Sequence, residues 1–278
     1  MSRRSRGARK SYPSVRPHRI YPGGTLFFTE GGGLVAIKHI SETAHWYTLD
    51  GQPAYDADLR RARKESLFPS VTSYTRILAK TSIENWRINK YLGLAALTPR
   101  NPGEADHDWI MRVSALAQIE CAKPAERGTA LHKMIEEYLT DRREPEDPAG
   151  KQACAEITAW LAANCKSVKS EITVVNAKEG VAGRIDLLLD EAVIADIKTS
   201  ANPPSRPWPE WGLQLAGYHL AAGLQPAHAF SLCVHAETGA LTVHEWPKEK
   251  IVSAAETFRS IMHTWRLVKG YDPRRREG

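Results

Sequence analysis

Asp186, Asp196 and Lys198 stand inside GRIDLLLDEAVIADIKTS (183–200), a stretch otherwise made of residues that belong in a protein interior. Polarity and chain reversal are easiest at 190–192, so the pattern predicts a hairpin pairing 183–189 antiparallel with 193–199. Asp186 then lies nearly opposite Asp196, with Cβ atoms roughly 4.5 to 5.5 Å apart. Side chains alternate along a strand, so Lys198 joins the carboxylate face while Ala195, Ile197 and Thr199 point the other way. Two carboxylates this close repel unless a cation lies between them, and an oxygen-rich site suits magnesium or manganese. A lysine beside them can position or help deprotonate an attacking water, and the ion would stabilise charge on a phosphate during in-line displacement. A bare Asp-x-Lys, taken alone, is more often an ordinary ion pair on a surface hairpin.

A second group comes from GTALHKMIEEYL (128–139). His132 and Glu136 are four residues apart and share one face of a helix that Gly128 and Thr129 begin. Set against the carboxylate face of the sheet, that helix would complete a ligand shell. In isolation His132 would more often be a partly buried, locally bonded helix residue, and Glu136 a solvated one.

The ordered set G-T-x-x-H-x-x-x-E (Gly128, Thr129, His132, Glu136), G-R-I-D (Gly183 to Asp186), D-I-K-T (Asp196 to Thr199) and Q-L-x-x-Y-H (Gln214, Leu215, Tyr218, His219) resembles the RecB-like, phage-type exonuclease branch of the PD-(D/E)XK nuclease superfamily. The likeness covers roughly residues 125 to 225, and PSVTSYTRILAKTSIENW before it resembles the helical lead-in of that branch. It implies a restriction-endonuclease-like core and metal-dependent hydrolysis of DNA phosphodiesters with one or two Mg2+ or Mn2+ ions. By matching position, Asp186 and Asp196 would be metal ligands, with the backbone carbonyl of Ile197 as a further one. Lys198 would orient water, His132 would be a ligand or near-ligand, and Glu136 would belong to the catalytic group by supporting the first helix. Gln214 and Tyr218 would face the site and contact the DNA backbone or hold the lysine. Glu171, at the start of the first strand, could reach the metal through water, although a partly exposed glutamate with no such role is an equal expectation. Relatives with a four-cysteine iron-sulfur cluster place three cysteines after the Q-x-x-x-Y helix; only Cys233 lies there, so no iron-sulfur cluster is expected.

Around these motifs the chain divides into a basic tail (1–20), a small β appendage (21–66) and the nuclease domain (67–278), whose motif core is 125–246. TLFFTEGGGLVAIKHI predicts a hairpin about Gly31 to Gly33, to which AHWYTLD can add a third strand. Helical spacing follows between about 70 and 97, again over 106–122, and then in ERGTALHKMIEEYLTD. QACAEITAWLAANC resumes as helix after Pro145 and Pro148, and three short strands begin at Glu171. A proline-rich loop leads to the helix EWGLQLAGYHLAAG, and a hairpin about 237–240 and a last helix from about Lys248 to Lys269 close the chain. This order predicts an α/β (α+β) fold, a central mixed sheet flanked by helices, with a helical insertion. Trp208 and Trp211 lie in or next to the proline-rich loop, where they could stack unpaired bases or, as an equal expectation, simply cap the core, Trp211 being the more expected core residue because it begins the helix.

The formal charge is +6, yet residues 1–20 alone carry seven basic side chains and no acid, so the remainder is close to neutral and slightly negative. Arg3, Arg4, Arg6, Arg9 and Lys10 therefore form a candidate phosphate-binding arm, although a merely solvated terminus has the same composition. No apolar run approaches a membrane span and no secretory signal is evident, so the expected location is cytoplasmic, in a bacterial or phage-infected cell. A mitochondrial leader ranks last because Pro13 and Pro17 oppose an amphipathic helix. The four cysteines are scattered without a C-x-x-C pair, which argues against a zinc knuckle. The expected activity is sequence-independent exonuclease action on single-stranded or duplex DNA ends in phage or bacterial DNA processing, recombination or repair. A recombination or replication protein is an expected partner, and a membrane is not. A structure- or strand-specific endonuclease of the same fold, and a non-cutting DNA-binding module, are the alternatives.

Overall fold

The computed structural model describes residues 45–79 and 81–274 in full, together with the backbone of three preceding strands, β1 (Arg19–Tyr21), β2 (Gly24–Phe28) and β3 (Leu34–Lys38). Arg3, Arg4, Arg6, Arg9 and Lys10 lie outside the described residues. β2 and β3 pair antiparallel as the sequence predicts. Trp46–Tyr47 (β4) does not join them; it pairs with Phe68–Pro69 (β5) in a separate two-stranded sheet.

The central sheet is mixed. Its core comprises β6 (Ser167–Asn176), β7 (Val181–Leu189), β8 (Val193–Ser200), β9 (Ala229–His235) and β10 (Leu241–Trp246), in the order β10-β9-β8-β7-β6. Only β8 and β9 run parallel within this group, because the chain crosses between them through a helix; hairpins join the other pairs. Beyond β6 the sheet continues with β2 and β3, and β1 also lies parallel to β6. The β7–β8 turn falls where expected. Asp190 and Glu191 both take left-handed conformations, and Ala192 N–H donates to Leu189 O.

Helices cover both faces. Helices α2 (Val71–Thr75), α6 (Pro209–Ala221) and α7 (Lys248–Lys269) pack on one, where Tyr74, Leu215, Phe258 and Trp265 meet Ile172, Ile185, Leu188 and Ile194. Helices α4 (Asp106–Asp141) and α5 (Pro148–Asn164) pack on the other, where Leu131, Ile135, Leu139, Ile157 and Leu161 meet Leu187, Leu189, Ala195 and Ile197. Leu131, Ile135 and Leu139 recur every four residues and form the buried stripe of α4. The chain also forms α1 (Leu59–Glu65) and α3 (Thr81–Leu97). The sequence separates 106–122 from the helix carrying His132, but α4 runs through both and contains Pro124, a proline that removes one backbone donor without ending the helix.

The faces of β6 and β7 change phase midway. In β7, Leu187 and Leu189 face the α4–α5 layer, but Ile185, two residues before, faces α6 and α7. In β6, Val168 faces α4–α5 while Ile172 and Val174 face the opposite layer. A regular strand would keep residues two apart on one face. The register offers the reason: pairing runs from Val168↔Leu189 to Ser170↔Leu187, skips Glu171 and Asp186, and resumes at Ile172↔Ile185. Glu171 sits at this break with φ +54°, a left-handed conformation rare within a strand. Glu171 is thus mid-strand and 4% exposed, not the strand-starting residue the sequence suggests.

Candidate functional site

The break between β6 and β7 is the floor of the site, and β7 and β8 part at the same level. Their ladder ends at Leu187↔Ala195, one step before Asp186 would pair with Asp196. The Asp186 side chain takes over the lost backbone partner: Ile197 N–H donates to Asp186 Oδ2 at 2.7 Å. Asp196 is 2% exposed and forms a close ion pair with Lys198.

Helix α6 holds this pair from one side. Lys198 Nζ donates to Gln214 Oε1 at 2.9 Å, and Gln214 Nε2 donates to Asp196 Oδ1 at 3.0 Å and to Tyr218 Oη at 2.8 Å. Gln214 and Tyr218 are one helical turn apart, so a single face of α6 fixes both lysine and aspartate. Gly183 permits the approach of Tyr218, since a Cβ there would lie 2.9 Å from the ring.

Helix α4 closes the other side. His132 Nε2 lies 3.9 Å from Asp186 Oδ2, and one ligand atom each of His132, Glu171 and Asp186 lie within 4.8 Å of one another. Glu136, one turn after His132, is buried rather than solvated, with a carboxylate oxygen 3.7 Å from Arg184 Nη2. Arg184 Nε in turn lies 2.9 Å from Glu171 Oε2. Gly128 sets how closely α4 can approach β8, because a Cβ there would meet Thr199 Oγ1 at 2.7 Å. Arg184 is the member that sequence reasoning passes over. Its signal is a lone cation in VAGRIDLLL, where a buried guanidinium requires acids beside it.

Electrostatics follow from this crowding. Burial, reinforced by Asp186 and only partly opposed by Arg184, pushes the Glu171 carboxyl well above its ordinary range. Burial likewise raises Asp196 to about 6, despite the Lys198 ammonium beside it. Burial and then the two aspartates hold the Tyr218 hydroxyl in its neutral form. When ionised, Glu136, Glu171, Asp186 and Asp196 carry four negative charges against the two positive charges of Arg184 and Lys198. In that fully ionised state the deficit of two charges matches one divalent cation, and the hard carboxylate oxygens suit magnesium or manganese.

All of these groups except Glu171 line an open cleft of about 770 Å³, with Thr129 and Lys133 of α4 at its wall. His132, Glu136, Asp186, Asp196, Ile197, Lys198, Gln214 and Tyr218 all border it. Trp208 does not; it stands at the N-terminus of α6, bordering a neighbouring cavity, and Trp211 is half-buried beside His244. The four cysteines are free thiols, three of them buried. Among the described residues, no helix is long and apolar enough to cross a membrane.

No family model matches this chain, and no curated protein matches it either. A solved structure described as SSO0001 is similar at 15% identity over 64% of this chain and 86% of its own, with a TM-score of 0.27, a likeness too slight to carry any argument.

Proposed function

We propose that this protein is a divalent-metal-dependent nuclease of the RecB-like PD-(D/E)XK kind, built on a restriction-endonuclease-like core and hydrolysing DNA phosphodiesters. One observation carries the reading: four carboxyl side chains gather with only two basic ones, and one of these, Lys198, is held by Gln214 and Asp196 at an open cleft. Asp186, Glu171 and His132 would hold the cation, together with Asp196 and the Ile197 carbonyl that the family likeness adds. Bound there, the ion would supply a Lewis acid that neutralises charge building up on the phosphate.

The chain's own residues do the positioning. Gln214 and Asp196 restrict Lys198 to one rotamer, so its ammonium can orient an attacking water or bind a non-bridging phosphate oxygen. A bond forms from the water oxygen to phosphorus while the bond to the leaving sugar oxygen breaks. Arg184 holds Glu171 and Glu136 and keeps the ligand group in place without needing to touch substrate. Asp196 and Lys198 have separate duties, so loss of either should stop the reaction.

The test is a time course on end-labelled linear DNA and on covalently closed circular DNA, with magnesium, manganese or EDTA, for the intact chain, Asp196→Ala and Lys198→Ala. Metal-dependent loss of linear DNA alone, absent in both variants, supports an exonuclease. Cutting of the circle indicates the endonuclease form. Undiminished cutting by both variants refutes the site, and binding without cutting in any metal points to a DNA-binding module.

A further inference from the structure

Beside the cleft lies a second cavity of about 440 Å³, within the size range of small-molecule sites, and Lys198 and Gln214 border both. Trp86, Trp208 and Trp211 line its walls. Trp208 and Trp211 come from the start of α6, whereas Trp86 comes from α3, some 120 residues earlier. Three indoles thus line one cavity that Lys198 also borders.

Helix α3 explains why this is a built feature. None of its residues is buried, so it adds nothing to the core. It packs on the N-terminal part of α4, and the link between them is fixed: Arg112 donates to the Glu104 carboxylate and to Pro99 O, while Trp109 Nε1 donates to Thr98 O. A braced helical hairpin therefore brings Trp86, 38% exposed, to the cavity that Trp208, 49% exposed, also lines. Large aromatic surfaces left this open gain little from packing within the chain and are free to cover a flat ligand.

We infer that this cavity receives an unpaired nucleobase of the substrate strand, stacked among Trp86, Trp208 and Trp211, so that the adjoining phosphate reaches Lys198. The inference rests on the phosphodiesterase reading of the neighbouring cleft. Within a duplex both faces of a base are covered by its neighbours, so the cavity selects single-stranded or frayed ends. Stacking on indole depends on the face and not on hydrogen-bonding edges, so recognition is indifferent to base identity.

The experiment walks a single abasic residue along short single-stranded oligonucleotides and measures kcat/KM for the intact chain, Trp86→Ala and Trp208→Ala. For the intact chain, one abasic position slows cutting; for each variant, cutting of the fully based strand falls about 5- to 150-fold and that position no longer matters. Loss of the same size at every abasic position, or no loss, overturns the inference. Trp86 lies on a helix with no buried residue, so its replacement spares the fold. A second readout separates this inference from the reading it rests on: 2-aminopurine oligonucleotides bound in EDTA. A Trp86-dependent change in emission without cutting in any metal would refute the nuclease and keep the base site, whereas cutting with no emission change would do the reverse.

Discussion

Replacing Arg184 by Met tests the charge balance, because Met fills a similar space while removing the cation together with its N–H donors. Glu136 and Glu171 are buried and the Arg184 side chain between them is 12% exposed, with ion-pair distances of 3.7 and 2.9 Å. Removing one partner of such a group leaves uncompensated buried charge and costs about 3 to 5 kcal/mol. For a chain of this length that corresponds to a fall in Tm of roughly 6 to 10 °C. The assay is urea and thermal unfolding in EDTA at about pH 7 and about pH 5, then at about pH 7 with manganese. The deficit should shrink at the lower pH, since Glu171, already raised chiefly by burial, can take up a proton instead of remaining charged. Manganese should recover part of it by supplying the missing charge. A loss under about 1 kcal/mol at pH 7 in EDTA, or one equal at both pH values, would refute the reasoning.

Asp196, raised from 3.8 to about 6, binds a proton more tightly folded than unfolded, so its contribution is full at low pH and is lost as pH rises through that window. Metal-free protein should therefore lose on the order of 3 kcal/mol from this group between about pH 4 and pH 7, and Asp196→Asn should flatten the slope of urea-measured stability against pH. A divalent ion competes with those protons, so the rise in Tm on adding manganese should be larger at about pH 7.5 than at about pH 5.5, as calorimetry would show. Gly128→Ala should cost about 1 to 3 kcal/mol of packing against Thr199, partly offset by about 1 kcal/mol of helix propensity, and the double variant with Thr199→Ala should recover the packing loss in unfolding measurements. Removing residues 1–18 should make the slope of log binding constant against log salt shallower by up to about 4 on single-stranded DNA, and an unchanged slope would mean that the arm does not touch phosphates.

Much of this architecture is legible along the chain because its signals are local. The two apolar runs either side of 190–192 specify the β7–β8 hairpin, and alternation places Lys198 with Asp196. Four-residue spacing likewise puts His132 beside Glu136 and Gln214 beside Tyr218. What escapes such reasoning depends on contacts between elements distant in sequence. Glu171 reads as a strand start because nothing in EITVVNA signals a left-handed residue in mid-strand; the break opposite Asp186 belongs to the pairing of two strands. Arg184 acquires its meaning only when β6 and α4 bring Glu171 and Glu136 to it. Trp86 has the spacing of an ordinary helix residue until α3 folds back on α4 and brings it to the cavity that Trp208 lines. Residue type and periodicity thus determined which side chains could act and which face each would take, while tertiary packing decided which charges and rings share one space, because burial and proximity are properties of the folded pair and not of either segment.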